Sequence, residues 1–268
     1  MPHLEVDDDV RLHYREAGSG PVLLFHPAFS HSLDLWNWVV RELSPAYRCV
    51  TFDPRGHGDS DKPDSDYTLT ELAADVAEIT RRLALRDVTL VGHSLGGAVC
   101  LTTVLDHDPD RRVARLALLA PAVPCFVRQD GEDFGTPPEV LAGLRSGLAA
   151  NWVATQSGSA GVFFHQTDAP TARWLTDRCL AMPVHIGERY FGQLASIDFR
   201  DRLGDVHVPV LVLWGRHDQL ADPRWADWIR RRDLPKWTVE LLDHSGHGLM
   251  VDEPVRTAEL LRHFISGT

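Results

Sequence analysis

Ser94, Asp218 and His247 are residues whose types and order along this chain are suited to joint chemistry. A serine hydroxyl is a weak nucleophile at neutral pH, so it needs a base within hydrogen-bond reach, and that base needs an acid to orient it. The chain supplies the serine first, then the carboxylate and then the imidazole. We therefore predict acyl transfer through a nucleophilic serine, provided that the fold brings the three side chains together.

Ser94 stands in a turn between glycines, because the chain reads Gly-His-Ser-Leu-Gly from Gly92 to Gly96 and continues with another glycine. The preceding residues 87–91 are a β-branched run typical of a strand. Residues 98–105 are apolar and long enough for a buried helix. A serine on a strained turn from strand to helix needs neighbours without a Cβ. This context makes Ser94 the predicted nucleophile.

The acid and the base are each chosen between two candidates. Asp218 is preferred to Asp222 because it is the first carboxylate after an apolar strand pattern, and ligands of parallel sheets gather at the carboxyl ends of strands. His247 is preferred to His244 because it lies between two glycines, where the backbone can turn the ring inward. The loop after the preceding strand, residues 120–124, offers no carboxylate.

Short apolar runs alternate with helical patterns over most of the chain, which predicts an α/β fold with a mostly parallel sheet covered on both faces. The strand patterns are at residues 22–25, 48–52, 87–91, 113–119, 208–214 and 238–242.

The alternation stops after residue 121. Residues 122–197 contain no buried-strand pattern but have helical patterns at 139–150, 170–182 and 188–197. We therefore predict a helical lid at 122–197, inserted between two parts of one core domain. Those parts are residues 1–121 and 198–268.

Composition restricts the partners. The 268 residues carry a formal net charge of −11, which argues against nucleic acid as a partner. No apolar stretch is long enough for a membrane helix, and the start has no signal-peptide pattern. The four cysteines are widely spaced and mostly in apolar runs, so they are interpreted as buried free thiols. We expect a cytoplasmic monomer or homodimer with no membrane partner.

Four stretches together resemble the α/β-hydrolase superfamily, and they span nearly the whole chain outside the lid. They are residues 26–29 followed by Trp36, residues 53–60, residues 92–97, and residues 215–218 with 246–247. The stretch Asp53-Pro-Arg-Gly-His-Gly-Asp-Ser60 resembles a loop of lidded esterases, lactonases and C–C bond hydrolases. The resemblance implies an eight-stranded sheet. Members that dehalogenate or open epoxides have aspartate in place of Ser94, so those activities are disfavoured.

An oxyanion hole requires two backbone N–H donors. Leu95, directly after the nucleophile, is expected to supply one. The family's other donor comes from the loop after the strand at 22–25, where this chain has Pro27, which has no N–H. Counting from either side of this loop leaves Ala28 and Phe29 as alternatives.

Several other residues have predicted roles. His57 is interpreted as structural, with indirect support of the site as the alternative, and His93 as a support of the turn. Trp152 and Trp174 are the aromatic residues chosen to line a substrate pocket. Neither Asp53, His57 and Asp59 nor His244 and His247 have typical metal-ligand spacing, so no metal or cofactor is predicted. Arg173 or Arg178 could bind a carboxylate, although a solvated helix face is the favoured interpretation.

The predicted function is hydrolysis of a carboxylic ester or lactone of a small, largely apolar molecule. The sequence Ser-Leu-Gly-Gly from Ser94 resembles esterases and enol-lactonases, whereas peracid-forming and C–C hydrolase relatives more often have Met after the serine. Both of those activities remain alternatives with the same triad. A small-molecule receptor on the same fold is the alternative from another class.

Overall fold

The structure is a computed structural model that describes residues 2–267. Eight strands form one sheet in the order β1-β2-β4-β3-β5-β6-β7-β8. The strands are β1 (His3–Asp7), β2 (Val10–Ala17), β3 (Val22–His26), β4 (Arg48–Phe52), β5 (Val88–His93), β6 (Val113–Leu119), β7 (Val210–Gly215) and β8 (Trp237–Leu242). The pairs β1–β2 and β2–β4 are antiparallel and the five other pairs are parallel, so the prediction of a mostly parallel sheet is confirmed.

The central strands are covered on both faces. All six residues of β5 are buried, and so are all six of β7. A parallel strand buried at successive positions must have helices above and below it, which explains why these runs lack alternation. At the edge, β8 alternates between half-buried and exposed residues over most of its length.

Within residues 2–267, eleven α-helices cover the sheet or form an insertion beside it, and a 3₁₀ turn (Leu33–Trp36) precedes the first of them. They are α1 (Asn37–Leu43), α2 (Leu69–Arg82), α3 (Leu95–Asp106), α4 (Pro138–Ala150), α5 (Trp152–Gly158), α6 (Ala160–Phe163), α7 (Ala169–Cys179), α8 (Val184–Gln193), α9 (Arg224–Arg230), α10 (Leu249–Asp252) and α11 (Pro254–Ser266).

Five helices, α4 to α8, lie between β6 and β7 and within the predicted range 122–197. Helices α4 and α7 lie close to the predicted helical patterns, α8 begins and ends four residues before the predicted 188–197, and the short α5 and α6 were not predicted. The two ends of this helical insertion meet, because Cys125 and Asp198 form a β-bridge and the Phe199 amide donates to the Pro124 carbonyl at 2.7 Å. The insertion therefore leaves and re-enters the core at one place.

All four cysteines are buried and unpaired by disulfides, as predicted. Burial raises the pKa of the Cys49 and Cys125 thiols to about 12, so these side chains act as apolar core groups. Within residues 2–267, every helix is too short or too polar to cross a bilayer.

Candidate active site

Ser94 occupies the turn between β5 and α3 in a conformation that L-residues rarely adopt, with φ 55° and ψ −122°. Such a conformation costs roughly 1–3 kcal/mol and persists only where the surroundings impose it. The Ser94 amide donates to the Leu119 carbonyl at 3.0 Å, and its own carbonyl accepts from Gly97 and Ala122 at 2.9 and 3.0 Å. The end of β6 and the first turn of α3 thus fix the serine backbone.

The glycines around Ser94 allow this close packing. A Cβ on Gly92 would lie 2.5 Å from the Gly96 carbonyl oxygen, and one on Gly97 would lie 2.8 Å from Pro121. A Cβ on Gly96 would overlap the carbonyl oxygen of Pro27. The glycine-flanked turn that the sequence predicts is therefore required on both sides of the serine.

Asp218 and His247 form a buried hydrogen-bonded pair. His247 Nδ1 lies 2.8 Å from Asp218 Oδ2, while Asp218 Oδ1 accepts from the amides of Leu220 and Ala221 at 2.8 and 2.9 Å. The carboxylate is therefore held in place from its far side. Because an ionised carboxylate only accepts, the proton of a neutral His247 lies on Nδ1 and its Nε2 carries a lone pair.

The alternative acid and base are engaged elsewhere. Asp222 accepts from the Gly135 amide at 3.0 Å and pairs with Arg224 at 2.7 Å. His244 is exposed, and its amide donates to Glu253 at 3.0 Å. Among the candidates, Asp218 and His247 are the pair that the fold brings together.

The loop carrying His247 is attached to the helical insertion through Asp252. One carboxylate oxygen of Asp252 accepts from the Gly246 amide at 2.9 Å. The same carboxylate accepts from the amides of residues 165–167 at 2.9–3.1 Å and from the Thr167 hydroxyl at 2.7 Å. The position of His247 is therefore linked to the segment that follows α6.

Ser94 and His247 line one cavity of about 340 Å³, in the lower part of the roughly 300–1,000 Å³ range of ligand pockets. No described lining residue carries an acidic or basic side chain other than histidine. The wall is mostly apolar and includes Phe126, Leu144, Leu148, Val162, Phe163, Phe191, Leu194 and Leu220. Polar lining comes from Ser30, His31, Thr155, Gln156 and Ser159.

The predicted oxyanion loop also reaches this cavity, because Ala28 and Phe29 both line it. The next two amides are engaged: Ser30 donates to His57 Nε2 at 3.1 Å, and His31 donates to the Ala28 carbonyl at 3.2 Å. Leu95 begins α3, where the first amides of a helix have no partner within it. The Leu95 amide and this loop thus flank Ser94.

Three cavity residues with aromatic rings contact one another, and the sequence did not single out two of them. Phe163 meets the His247 ring edge to face at 4.9 Å between centroids. His31 stacks on Phe163 at 4.3 Å, and its burial lowers the pKa of its imidazole to about 4. His31 is therefore neutral at pH 7. A lone histidine in the loop after β3 gives no pattern that would have identified this contact.

His93, which was predicted to support the turn, also binds the loop of His247. Its Nε2 lies 2.9 Å from the His247 carbonyl oxygen, which can only accept, so Nε2 carries the proton. Desolvation by burial lowers the His93 pKa well below its ordinary value. A neutral His93 thus links the turn at Ser94 to the loop of His247.

The expectation that Trp152 and Trp174 line the pocket is wrong. Trp152 is buried against Gly187 and meets Phe29 edge to face at 6.1 Å. Phe29 lines the cavity, whereas Trp152 does not. Trp174 is 42% exposed and packs on Trp38. The cavity wall uses phenylalanines instead, because the short helices α5 and α6 turn Trp152 into the interior of the insertion.

The other residues singled out by the sequence have structural contacts. The Arg55 guanidinium pairs with Asp75 at 2.6 Å and also with Glu71. Arg178 donates to Asp34 at 3.1 Å, so its charge is matched within the protein. Arg173 is exposed near Asp177, as expected for a solvated helix face.

Donor atoms of His13, Asp53 and Asp59 lie within 4.8 Å of one another. Asp53 already accepts from His13 at 2.8 Å, from the Leu33 amide at 2.7 Å and from the Asp59 amide at 3.0 Å. These bonds join β2, the start of the 3₁₀ turn and the loop after β4, and they leave little of the carboxylate for an ion. We therefore interpret the cluster as a structural hub rather than a metal site.

Comparison with known proteins agrees with this architecture. A family model described as the alpha/beta hydrolase fold matches residues 21–254. A non-heme chloroperoxidase from Streptomyces lividans is 30% identical over 267 residues, covering 95% of each chain. An esterase from Exiguobacterium antarcticum has a TM-score of 0.92 at 25% identity, covering 98% of both chains.

An enol-lactonase from Burkholderia xenovorans LB400 has a TM-score of 0.85 at 21% identity, covering 99% of this chain and all of that one. At that identity the likeness concerns the fold alone. The family match covers most of the sheet, the turn at Ser94 and the loop of His247. The chain belongs to the α/β-hydrolase family of enzymes.

Proposed function

We propose that this α/β-hydrolase is a serine hydrolase that cleaves a carboxylic ester or lactone of a small, uncharged and largely apolar molecule. One observation carries the proposal. His247, oriented by Asp218 through its Nδ1, lines the same cavity as Ser94, which is held on a strained turn. A nucleophile, a base and an orienting acid in this relation are the requirements for acyl transfer.

In the proposed mechanism, His247 Nε2 takes the hydroxyl proton as Ser94 Oγ attacks the carbonyl carbon. The carbonyl oxygen becomes an oxyanion, held by the amide of Leu95 and by that of Ala28 or Phe29. When the tetrahedral intermediate collapses, His247 gives its proton to the leaving alkoxide and an acyl-serine remains. His247 then activates a water molecule, which attacks the acyl-serine, releases the acid and restores the serine. Asp218 holds the imidazole tautomer throughout.

The cavity wall supports an uncharged substrate. Among its described lining residues there is no lysine or arginine to match a carboxylate. Arg178 of the insertion, which contacts the core, is paired with Asp34. Burying an unpaired carboxylate is costly, and the net charge of −11 would also repel it. Anionic lactones are therefore expected to react far more slowly than neutral esters of similar size.

Peracid formation is the second candidate, favoured by the chloroperoxidase from Streptomyces lividans as a relative at 30% identity. In that reaction hydrogen peroxide attacks the acyl-serine in place of water. The acyl group then leaves as a peracid, and the serine is restored. The residue after the nucleophile is Leu95, whereas peracid-forming members of the family that the sequence resembles more often have Met there. Hydrolysis is therefore the primary proposal. C–C bond hydrolysis with the same triad and a receptor role remain alternatives.

The test combines labelling with turnover. A fluorophosphonate should label wild type at Ser94, and p-nitrophenyl butyrate should be hydrolysed over many turnovers. The Ser94→Ala variant should lose about 10⁶ in kcat, as in the subtilisin series. Ser196→Ala, a matched control at an exposed serine of the insertion, should keep wild-type rates. Turnover by Ser94→Ala near the wild-type rate would refute the proposal.

Four further readouts separate the alternatives. A panel of neutral and carboxylate-bearing esters and lactones should show the expected preference for neutral substrates. Acetate with hydrogen peroxide and bromide should brominate monochlorodimedone slowly compared with ester hydrolysis; the reverse ranking would favour peracid formation. Turnover of a vinylogous diketone but not of esters would favour C–C bond cleavage. A single slow turnover with retained product would favour the receptor.

A further inference from the structure

The loop that follows β3 contains a second strained residue besides Ser94. Ser30 has φ 61°, in the left-handed region that favours glycine, and it is buried beside the two candidate oxyanion donors. Strain of this kind persists only where neighbouring groups hold it. Two side chains bond to Ser30, one to its amide and the other to its hydroxyl.

We propose that His57 and Gln156 are positioning residues, which hold Ser30 in its strained conformation so that the amide of Ala28 or Phe29 stays directed at the oxyanion. This inference rests on the proposed function, since it assigns a role within the same acyl transfer. It assigns no contact between His57 and the substrate.

His57 acts on the backbone of Ser30. Its Nε2 accepts the Ser30 amide at 3.1 Å, while its Nδ1 lies 3.1 Å from the Arg55 carbonyl oxygen, to which it must donate. Tyr190 of α8 packs edge to face on the His57 ring at 4.7 Å and donates to the same carbonyl at 2.7 Å. The ring is thereby fixed in one tautomer, with its acceptor nitrogen facing Ser30.

His57 remains an acceptor across the ordinary pH range. It is 1% exposed, and desolvation lowers the pKa of its imidazole to about 3. A protonated ring could not accept the Ser30 amide at all. The bond to Ser30 is therefore present wherever the hydrolase would be active.

Gln156 acts on the side chain of Ser30 from the helical insertion. It belongs to α5, is 5% exposed, and donates from Nε2 to Ser30 Oγ at 3.1 Å. Because α5 belongs to the helical insertion, the insertion supplies one of the two bonds that fix the loop. This gives the insertion a part in catalysis beyond forming the cavity wall.

Both ends of the donor segment are thus held. On the near side, Pro27 packs against α3, since a Cβ on Gly96 would overlap its carbonyl oxygen. On the far side Ser30 is held by its two side-chain partners. Ala28 and Phe29 lie between these anchors and line the cavity. A loop whose proline removes one backbone donor has a specific need for such support.

The first test replaces His57 in two ways. His57→Phe keeps a ring but removes the acceptor, leaving the buried Ser30 amide without a partner. His57→Gln offers an amide oxygen in its place. With p-nitrophenyl butyrate we expect kcat to fall roughly 10–100-fold in His57→Phe with KM within threefold, since misplacement by about 1 Å can cost 10²-fold. His57→Gln should lose less kcat, and the logarithm of its fold-loss should be at most half of that for His57→Phe.

A transition-state analogue distinguishes positioning from general damage. The Ki of a trifluoromethyl ketone, which forms an oxyanion on the serine, should rise in parallel with the fall in kcat/KM. Labelling of Ser94 by a fluorophosphonate in wild type checks the proposed function separately; its absence would overturn the hydrolase itself. A labelled, active wild type with His57→Phe unchanged in kcat would overturn the positioning role alone.

A second pair of variants does not depend on the stability of His57 variants. Ser30→Ala and Ser30→Gly both remove the bond to Gln156, but only alanine is strained at φ 61°. We expect Ser30→Ala to lose roughly tenfold more kcat than Ser30→Gly, with similar KM values. Equal kcat values for the two variants would overturn the proposal.

Discussion

Replacing Asp218 by asparagine tests the pairing on which the proposed mechanism depends. The two oxygens of the Asp218 carboxylate accept three N–H groups: the Leu220 and Ala221 amides on one side and His247 Nδ1 on the other. Asparagine has the same shape but offers one acceptor oxygen and one NH₂ donor. Asparagine therefore cannot accept all three N–H groups. Either the two backbone amides lose their acceptor, or His247 must move its proton from Nδ1.

The backbone amides decide which side changes. They cannot change their protonation, and turning the NH₂ group toward them would leave both without a partner, at about 1–3 kcal/mol for the buried Ala221 amide. The asparagine oxygen therefore stays with Leu220 and Ala221, and its NH₂ group faces the His247 ring. His247 must then carry its proton on Nε2, where it can no longer take the proton of Ser94. In the serine-protease triad the same substitution lowers kcat about 10⁴-fold, which corresponds to about 5.4 kcal/mol of transition-state stabilisation.

The assay is steady-state hydrolysis of p-nitrophenyl butyrate, with unfolding in urea measured in parallel. We expect a loss of about 10⁴ in kcat and KM within threefold. The free energy of unfolding should fall by about 1–3 kcal/mol, because neutral hydrogen bonds replace bonds to a charged carboxylate. Asp222→Asn is the matched control, because that carboxylate is bonded to Gly135 and Arg224 instead; its kcat should change less than threefold. A folded Asp218→Asn enzyme within tenfold of wild type, or an equal loss in Asp222→Asn, would refute the reasoning.

Three other predictions address the loops around the site. Gly96→Ala introduces a Cβ that overlaps the Pro27 carbonyl oxygen, so kcat should fall at least tenfold and the Ki of a trifluoromethyl ketone should rise equally; wild-type kinetics would contradict the assigned contact. His31 and His57 are neutral in the fold because burial lowers their pKa values to about 4 and about 3, so only the unfolded chain gains protons as the pH falls below about 6.5. Urea titrations should show stability lost between pH 6.5 and 4, by up to about 1.4 kcal/mol per pH unit for each histidine, and a flat profile would exclude this. Asp252→Ala removes the acceptor shared by the His247 loop and residues 165–167, so limited proteolysis should cut that segment faster and kcat should drop about tenfold; unchanged cleavage would show that other contacts hold it.

The core of the fold could be predicted because its signals are local. The strands β3 to β7 are short and mostly apolar runs, and the turn at Ser94 is marked by glycines that the packing requires. Asp218 and His247 could be chosen because both follow directly from strand ends in a parallel sheet. At each of these places the residues next to one another in sequence are enough to indicate the local structure.

The helical insertion was less predictable for the opposite reason. Helices α5 and α6 are only seven and four residues long and are separated by Ser159 alone, so they carry too few turns for a period to emerge. The orientation of Trp152 depends on that geometry, and its position was predicted wrongly. Gln156 and Phe163 reach the site through long-range packing that no local pattern encodes.

The bonds of Asp252 limit how this enzyme can admit a substrate. Residues 165–167 and Gly246 share one carboxylate, so swinging the whole insertion away would also dislodge the loop of the base. Any opening for the substrate must therefore leave residues 165–167 in place and move another part of the insertion. Leu144 and Val162 line the cavity and yet are 38% and 37% exposed, which marks the entrance between α4 and α6. Movement of α4 alone would widen this entrance and leave Ser94, Asp218 and His247 in place. A substrate could then enter without the catalytic residues first separating.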